Sequence, residues 1–463
     1  SSTSIILTWS GLSPATCKMG RASSENACSI SASRDKLVAS AGNAVAKSVI
    51  SITKVLIIRI DAAVNSLKNL FVGPLWDLFM KNSSRGAIDP FIVMDVMESA
   101  RQAEQSGRSI IHMEVWQPGT PAPQGALNHL NTELLRDPMG YTVAMGLPEL
   151  RKKISHLYAE WYDLDINPNR VVITPGSSGA FILAFTALFD AGDRVGIGAP
   201  GYPSYRQILK ALDLVPVDIE TQVTNRFQPI AKDISGNQLS GFLVASPANP
   251  TGTMLDRNSL GSLIKAASDS GVSFISDEIY HGLEYETKAV SALELTDNCF
   301  VINSFSKYFS MTGWRVGWMV VPEAHIRQVE RLAQNLFICA PHVSQVLALA
   351  AMDCKDELAE NIKVYEQNRK LMLEGLPKAG FDKISPPDGA FYIYADISQF
   401  SHDSLGFARE LLDRAGVAVT PGLDFDPKRG SSMLRFSYAR STDDIREGLR
   451  RLENHMRQRG FIE

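Results

Sequence analysis

The chain has 463 residues, enough to bury two sizeable cores, and its apolar and charged fractions, 45% and 21%, are those of an ordinary globular protein. A net charge of −4 leaves no electrostatic footprint for nucleic acid. The five cysteines (Cys17, Cys28, Cys299, Cys339, Cys354) are scattered and the eight histidines show no ligand spacing, which argues against a metal site and for a reducing compartment.

Residues 1 to 36 are rich in Ser and Ala and without periodicity, the composition of a disordered or removable segment. From Leu37 to Phe71 apolar residues fall at helical spacing, but Val49 to Ile60 is dense in β-branched residues, so an amphipathic helix and a strand pair both fit. Lys54, Arg59 and Asp61 interrupt every long apolar window, so no membrane span is expected there. Residues 1–85 carry ten basic against four acidic side chains. They form a leader of uncertain structure, either an upstream extension, with a cytoplasmic protein, or an organelle transit peptide.

From Arg85 the texture becomes that of a compact α/β enzyme. Pro90 marks a helix start, with Val93, Met97, Ala100 and Ala103 on its apolar face and a stop at Gly107. Ile111, Met113 and Val115 alternate as a short strand ending in the rigid loop Trp116 to Pro123. Gly140 to Arg151 is a glycine-punctuated loop running into a helix of about four turns. Val171 to Thr174 reads as a buried strand, and Pro175-Gly176-Ser177-Ser178-Gly179 turns from it into the apolar helix Phe181 to Phe189. Such a strand, small-residue turn and helix can present backbone N–H groups to an anion or be a plain connection.

Further apolar runs at Val195–Ile197, Val215–Ile219, Phe242–Ala245, Val272–Ile275, Phe300–Ile302 and Val316–Val321, mostly separated by helical segments, predict a largely parallel sheet wrapped by helices. Ligands in such sheets bind at the carboxyl ends of strands. Ser177, Ser178, Tyr202, Asn249, Asp277, Tyr280 and Lys307 all stand at those ends. Helices are expected at 324–333, 343–352 and 357–376, strands at 417–420 and 433–437, and a closing helix at 443–457.

Asn303 to Arg315 sets Lys307 among hydroxyls, with Arg315 eight residues on. A lysine following a buried strand loses water and is pushed towards its neutral, nucleophilic form, which a Schiff-base lysine requires. Serines and a fixed guanidinium suit a phosphate. This combination fits an aldehyde cofactor bearing a phosphate, although by itself the stretch would equally be a surface Lys and Arg pair.

Three further motifs decide between these readings. They are Ser246-Pro247-Ala248-Asn249-Pro250-Thr251-Gly252, Ser276-Asp277-Glu278-Ile279-Tyr280 and Leu434-Arg435-Phe436-Ser437-Tyr438-Ala439, with Asn249, Asp277 and Lys307 spaced by 28 and 30 residues. With the Lys307 stretch, and in this order, they make the chain from about residue 86 onward resemble a fold-type I, class I/II pyridoxal-phosphate aminotransferase. The resemblance implies a three-layer α/β large domain (126–355) and a smaller α+β domain (86–125 with 356–463).

The resemblance also implies roles, several of which agree with the chemistry of the residues. Lys307 would carry pyridoxal 5'-phosphate and shuttle the substrate proton. Asp277 would keep the pyridine nitrogen protonated, so that the ring is a better electron sink. Tyr280 and Asn249 would reach the phenolic oxygen, and Tyr202 would stack on the ring face. Ser177, Ser178, Ser304 and Arg315 would hold the phosphate, joined by Tyr141 of a neighbouring subunit, which implies a homodimer with shared sites. Arg435 would grip the substrate α-carboxylate. The expected partners are an L-amino acid and a 2-oxo acid, with aspartate or aromatic donors foremost, and no nucleic acid, membrane or metal.

One departure stands out. The family usually has glycine where this chain has Trp116, and a tryptophan there would either narrow the substrate pocket or point outward. Two other functions would share these residues: a carbon–sulfur lyase on the same fold, and a cofactor-binding protein whose catalysis Trp116 impairs.

Overall fold

The computed structural model describes residues 82–463, and the expectations for residues 1–81 lie outside them. The described chain opens with helix α1 (Ile92–Gln105), strand β1 (Ile111–His112) and helices α2 (Gln124–Glu133) and α3 (Pro148–Tyr162). Strands and helices then alternate through β2 (Val171–Thr174), α4 (Gly176–Leu188), β3 (Arg194–Ala199), α5 (Pro203–Ala211), β4 (Val215–Glu220), α6 (Ala231–Ser235) and β5 (Gly241–Ala245). Next come α7 (Arg257–Asp269), β6 (Ser273–Asp277), β7 (Phe300–Ser304) and β8 (Gly317–Val320). The rest comprises α8 (Ile326–Leu336), α9 (His342–Ala351), α10 (Lys355–Lys378), β9 (Tyr392–Asp396), α11 (Ser404–Glu410), β10 (Val417–Ala418), β11 (Thr420–Pro421), β12 (Met433–Ser437) and α12 (Thr442–Gln458).

Seven strands form one sheet in the order β2-β8-β7-β6-β5-β3-β4. All neighbours pair in parallel except β8, which runs against both β7 and β2. The strands are apolar on both faces because helices cover both. Phe242, Phe274, Val301 and Trp318 pack to one side with Ile154, Leu260 and Leu347 from α3, α7 and α9. Their neighbours in sequence, Leu243, Ile275, Ile302 and Met319, pack to the other side with Phe181, Leu209 and Val329 from α4, α5 and α8. The period of two along each strand thus divides the residues between two cores, and the sheet is the middle of three layers.

A smaller α+β assembly follows. The antiparallel sheet β11-β12-β9 packs with α10 and α12 around Met372, Phe391, Ile393, Phe436 and Leu452. The segment 417–420, expected as one strand, is two. Val417–Ala418 pairs in parallel with β1, whereas Thr420–Pro421 pairs antiparallel with β12, so the chain changes partner at Val419.

The first helix begins at Ile92, two residues past Pro90. Phe91 is extended, and the cap comes from far along the chain: the Asp424 carboxylate accepts from Ile92 N at 2.9 Å and Val93 N at 3.2 Å. A carboxylate at a helix N-terminus satisfies otherwise orphaned N–H groups and meets the positive end of the dipole. Asp424→Ala is expected to cost about 1–2 kcal/mol, measured by urea denaturation. Exchange of the α1 amides should accelerate more than that of the β6 and β7 amides.

Candidate functional site

The carboxyl ends of β2, β3, β5, β6 and β7 converge on one edge of the large sheet. Because β8 runs the other way, it begins at that same edge, with Gly317 opposite both Ser304 and Thr174. The residue two before it, Arg315, is therefore delivered to the edge as well. A cavity of ≈ 380 Å³ opens there, lined among others by Trp116, Ser177, Ser178, Tyr202, Asn249, Asp277, Tyr280, Lys307 and Arg315. Nine residues singled out from sequence therefore meet in one space.

Asp277 ends β6 and is buried. The Tyr205 hydroxyl donates to its Oδ2, and the Ile279 N–H donates to its Oδ1 at 3.1 Å. Burial pushes the carboxyl up to about 6 against these two bonds, so it is mainly ionised at neutral pH. Its neighbour Glu278 faces elsewhere, accepting from Ser276 Oγ at 3.0 Å, Ser291 Oγ at 2.8 Å and Ala292 N at 2.8 Å. The alternation of side chains along the strand end thus gives one of the two acids to the cavity.

Lys307 follows β7 and is 4% exposed. Its ammonium donates to the Trp116 carbonyl and lies 5.6 Å from the centre of the Tyr280 ring. Burial, reinforced by the positive charges of Arg435 and Arg315, lowers its pKa from 10.5 to about 7. The amine is therefore available as a nucleophile near neutrality.

At the other end, α4 starts at Gly176 and points its first turn, with Ser177 and Ser178, into the cavity. Gly176 adopts φ +71°, and a Cβ there would lie 2.5 Å from Arg315 Nη2. Glycine thus serves both the turn and the close approach of the guanidinium. Arg315 donates to the Thr312 carbonyl at 3.1 Å. Helix N–H groups, two hydroxyls and one guanidinium form a cradle suited to a phosphate.

Ser304 differs from expectation. Its hydroxyl donates to the Val316 carbonyl at 3.2 Å and meets Ser306 Oγ at 2.8 Å, tying β7 to the start of β8. Ser306, with Thr312, lines the cavity in its place. Arg435 lies beside the cavity, buried on β12. It donates to Asn249 Oδ1 at 2.9 Å, to Thr420 Oγ1 at 3.0 Å and to the Glu114 carbonyl, while Nε has no hydrogen-bond partner. Tyr392 and Phe425 rings sandwich its guanidinium at 4.5 and 4.9 Å. Tyr141 is 83% exposed and outside the cavity lining.

Trp116 lines the cavity, with its ring 5.2 Å from Phe91, which in turn is 5.9 Å from Tyr202. Phe91 itself is not among the residues that line the cavity. Phe91 and Tyr205 were missed in the sequence. Tyr205 carried a signal, because Tyr202 and Tyr205 bracket the first turn of a helix at i, i+3. Phe91 carried none, since its neighbours in space come from distant segments. His281 is buried, meeting the Ser246 carbonyl at 2.9 Å and the Tyr162 hydroxyl at 2.6 Å. Among the described residues no group of His, Cys, Asp and Glu could hold a metal ion.

The family model for aminotransferase class I and II matches residues 123–452. The valine–pyruvate aminotransferase of Mycobacterium tuberculosis is 44% identical over 374 residues, covering 80% of this chain and 96% of that protein. The aspartate aminotransferase of Sulfurisphaera tokodaii is 31% identical over 394 residues, covering 82% and 98%. A solved structure from Silicibacter pomeroyi is 68% identical with a TM-score of 0.79, covering 82% of this chain and all of that one. With a buried lysine, a buried aspartate and a phosphate cradle on one sheet edge, the chain belongs to the class I and II aminotransferases, the fold-type I pyridoxal-phosphate-dependent transaminases.

Proposed function

We propose that this transaminase moves the amino group of an L-amino acid with an uncharged side chain to a 2-oxo acid by a ping-pong exchange. The observation that carries the substrate class is the charge of the cavity: Lys307 and Arg315 are the two cations among its lining residues, with Arg435 behind Asn249. Arg315 faces the phosphate cradle, Lys307 is the nucleophile and Arg435 suits the α-carboxylate. No further cation of this chain's described lining is left for a carboxylate on the donor's side chain, and the lining also includes the apolar residues Trp116, Phe181 and Ile279. This reading departs from the expectation of aspartate or aromatic donors and favours apolar ones, aliphatic included, in line with the name of the Mycobacterium tuberculosis relative.

The residues fit pyridoxal 5'-phosphate. When bound, the cofactor supplies an aldehyde that takes up the amino group and a ring that accepts electron density from the substrate Cα. Asp277 suits its ring nitrogen, Tyr280 and Asn249 its phenolic oxygen, Tyr202 its ring face, and Ser177, Ser178, Ser306 and Arg315 its phosphate. Lys307 Nζ, neutral above about pH 7, would condense with that aldehyde with release of water and be displaced by the substrate's amine. Freed in this way, it would take the proton from the donor's Cα and, in the second half of the exchange, return one to the Cα of the acceptor. The orphaned Nε of Arg435 is a donor in hand for the substrate carboxylate.

A homodimer is supported by Leu135, Tyr141 and Val143, which are 86%, 83% and 58% exposed within one stretch. Monomeric proteins seldom leave such residues to water together. Tyr141 on that face suits the reading that it reaches a partner's phosphate. The separate cores support a large domain at 126–355 and a small one formed by 86–125 with 356–463.

With the cofactor-loaded protein, valine or alanine should bleach the cofactor absorption with kcat/KM at least about tenfold above aspartate, given that an unpaired buried carboxylate costs several kcal/mol. The reverse order would sink the substrate class, and silence with every donor would sink the transamination itself. Lys307→Ala should still retain cofactor but lose its covalent attachment, and turnover should fall by at least about 10²–10⁴-fold. The pKa of Lys307 is lowered, so its neutral fraction rises through about pH 7. The rate of covalent loading should climb between pH 6 and 8 and level off, as followed by stopped-flow absorbance. A rate still climbing at pH 10 would mean an ordinary lysine.

A further inference from the structure

A second cavity, also ≈ 380 Å³, shares no lining residue with the first. Its volume lies in the range of about 300–1,000 Å³ typical of small-molecule sites. It sits in the seam between the two sheets. Pro200, Val223 and Phe227 come from loops at the carboxyl edge of the large sheet, and Ile384, Tyr394 and Met433 from the small one. Arg429 clasps this seam, donating to the Thr221 carbonyl at 3.0 Å, the Ala199 carbonyl at 2.5 Å and its neighbour Asp426 at 2.8 Å.

Three observations mark this seam as a built site. The first is Tyr394, which is 1% exposed, forms part of the cavity wall and has a hydroxyl without any hydrogen-bond partner. A buried hydroxyl left unpaired costs free energy, and a ligand supplying a partner recovers it. The second is the apolar lining: the rings of Phe227 and Tyr394 meet edge to face at 5.9 Å, and Val223 is 70% exposed at the rim. The third is charge. Arg429 is committed to Asp426 and two carbonyls, which leaves Asp382 and Asp396 against Lys383. That surplus repels an anion and accepts a neutral or cationic molecule.

The cavity also touches the machinery of the first site. Tyr394 lies directly opposite Arg435 across the β9–β12 pair, so their side chains share a face. Phe425 joins them, with its ring 6.1 Å from that of Tyr394 and 4.9 Å from the Arg435 guanidinium. A small cavity of ≈ 30 Å³ has Pro200 and Phe227 in common with the seam cavity and Tyr202, Tyr205 and Asn249 in common with the first.

We propose that the seam cavity is an effector site for a small aromatic molecule, neutral or cationic and bearing a hydrogen-bonding group. It inserts beside Phe227 and Tyr394 and, through the Tyr394–Phe425–Arg435 stack, alters how the enzyme holds its substrate's carboxylate. Occupancy acts on both sides of the seam, so it changes amino-donor affinity while the phosphate cradle stays as it is.

The test uses the full chain loaded with cofactor and N,N-dimethyltyramine, a phenol whose tertiary amine cannot condense with an aldehyde. Calorimetry should show saturable binding, about fivefold or more tighter than that of 4-hydroxyphenylacetate, the same ring carrying a carboxylate. The KM for the amino donor should shift by about fivefold at saturation. Val223→Lys, a change at an exposed rim position, should abolish binding, and Tyr394→Phe should weaken it about fivefold. Absence of binding, equal binding of the anion, or binding unchanged in both variants overturns the site. An unshifted KM overturns the coupling. Calorimetry needs no turnover, so these outcomes stand apart from any failure of the substrate assignment.

Discussion

An amine kept out of water at the edge of a parallel sheet is the constraint on which the rest of this protein depends. A lysine in solvent is protonated and inert as a nucleophile at neutral pH. Enclosing Lys307 between the end of β7, the Tyr280 ring and the Trp116 carbonyl removes its hydration and brings the free base within reach of physiological pH. The enclosure draws on two parts of the chain: the large sheet supplies the lysine and, after β6, Tyr280, and the segment after β1 supplies Trp116. The three-layer core gives that enclosure a rigid floor.

The charges follow a matching logic. Arg315 and Arg435 donate to carbonyl, amide and hydroxyl oxygens, which orient a guanidinium without neutralising it. Asp277 is the one carboxylate lining the cavity. Two oriented guanidinium groups, one lining the cavity and one beside it, with a single lining carboxylate, are unfavourable alone and complementary to anionic groups. The same two charges help depress the pKa of Lys307.

Much of this was legible in the sequence, for reasons that can be traced to residues. The strands of the large sheet are apolar on both faces, so runs such as Phe300–Ile302 announce themselves, and chemistry placed at strand ends lies next to those runs. Asp277, Lys307 and Ser178 were therefore easy to find. The small sheet was harder, because its strands are short and change partner, as at Val419, where two residues on either side pair with different strands. Contacts made by folding left no local trace: Asp424 capping a helix more than 300 residues earlier, Phe91 beside Trp116, and the Ser304 hydroxyl turning to Val316 instead of the cavity. The orientation of a serine between two candidate partners is settled by the neighbouring strand, which periodicity does not reveal.

The reversed strand β8 has one more consequence. Because it returns beside β7, the segment 305–316 is a closed loop, held at its base by Phe305 N to the Val316 carbonyl at 3.2 Å and across its width by Met311 N to the Phe305 carbonyl at 3.0 Å. Lys307 and Arg315 lie on the two limbs of that loop. The span between Lys307 and Arg315 is thus a ruler cut from local chain. Such a loop cannot gain or lose a residue without putting the two groups out of step, whereas the connections on the far edge of the sheet are free to vary in length. The spacing of these two groups is set within a dozen residues, whereas Asp277, Tyr280, Trp116 and Arg435 reach Lys307 only through the packing of distant segments.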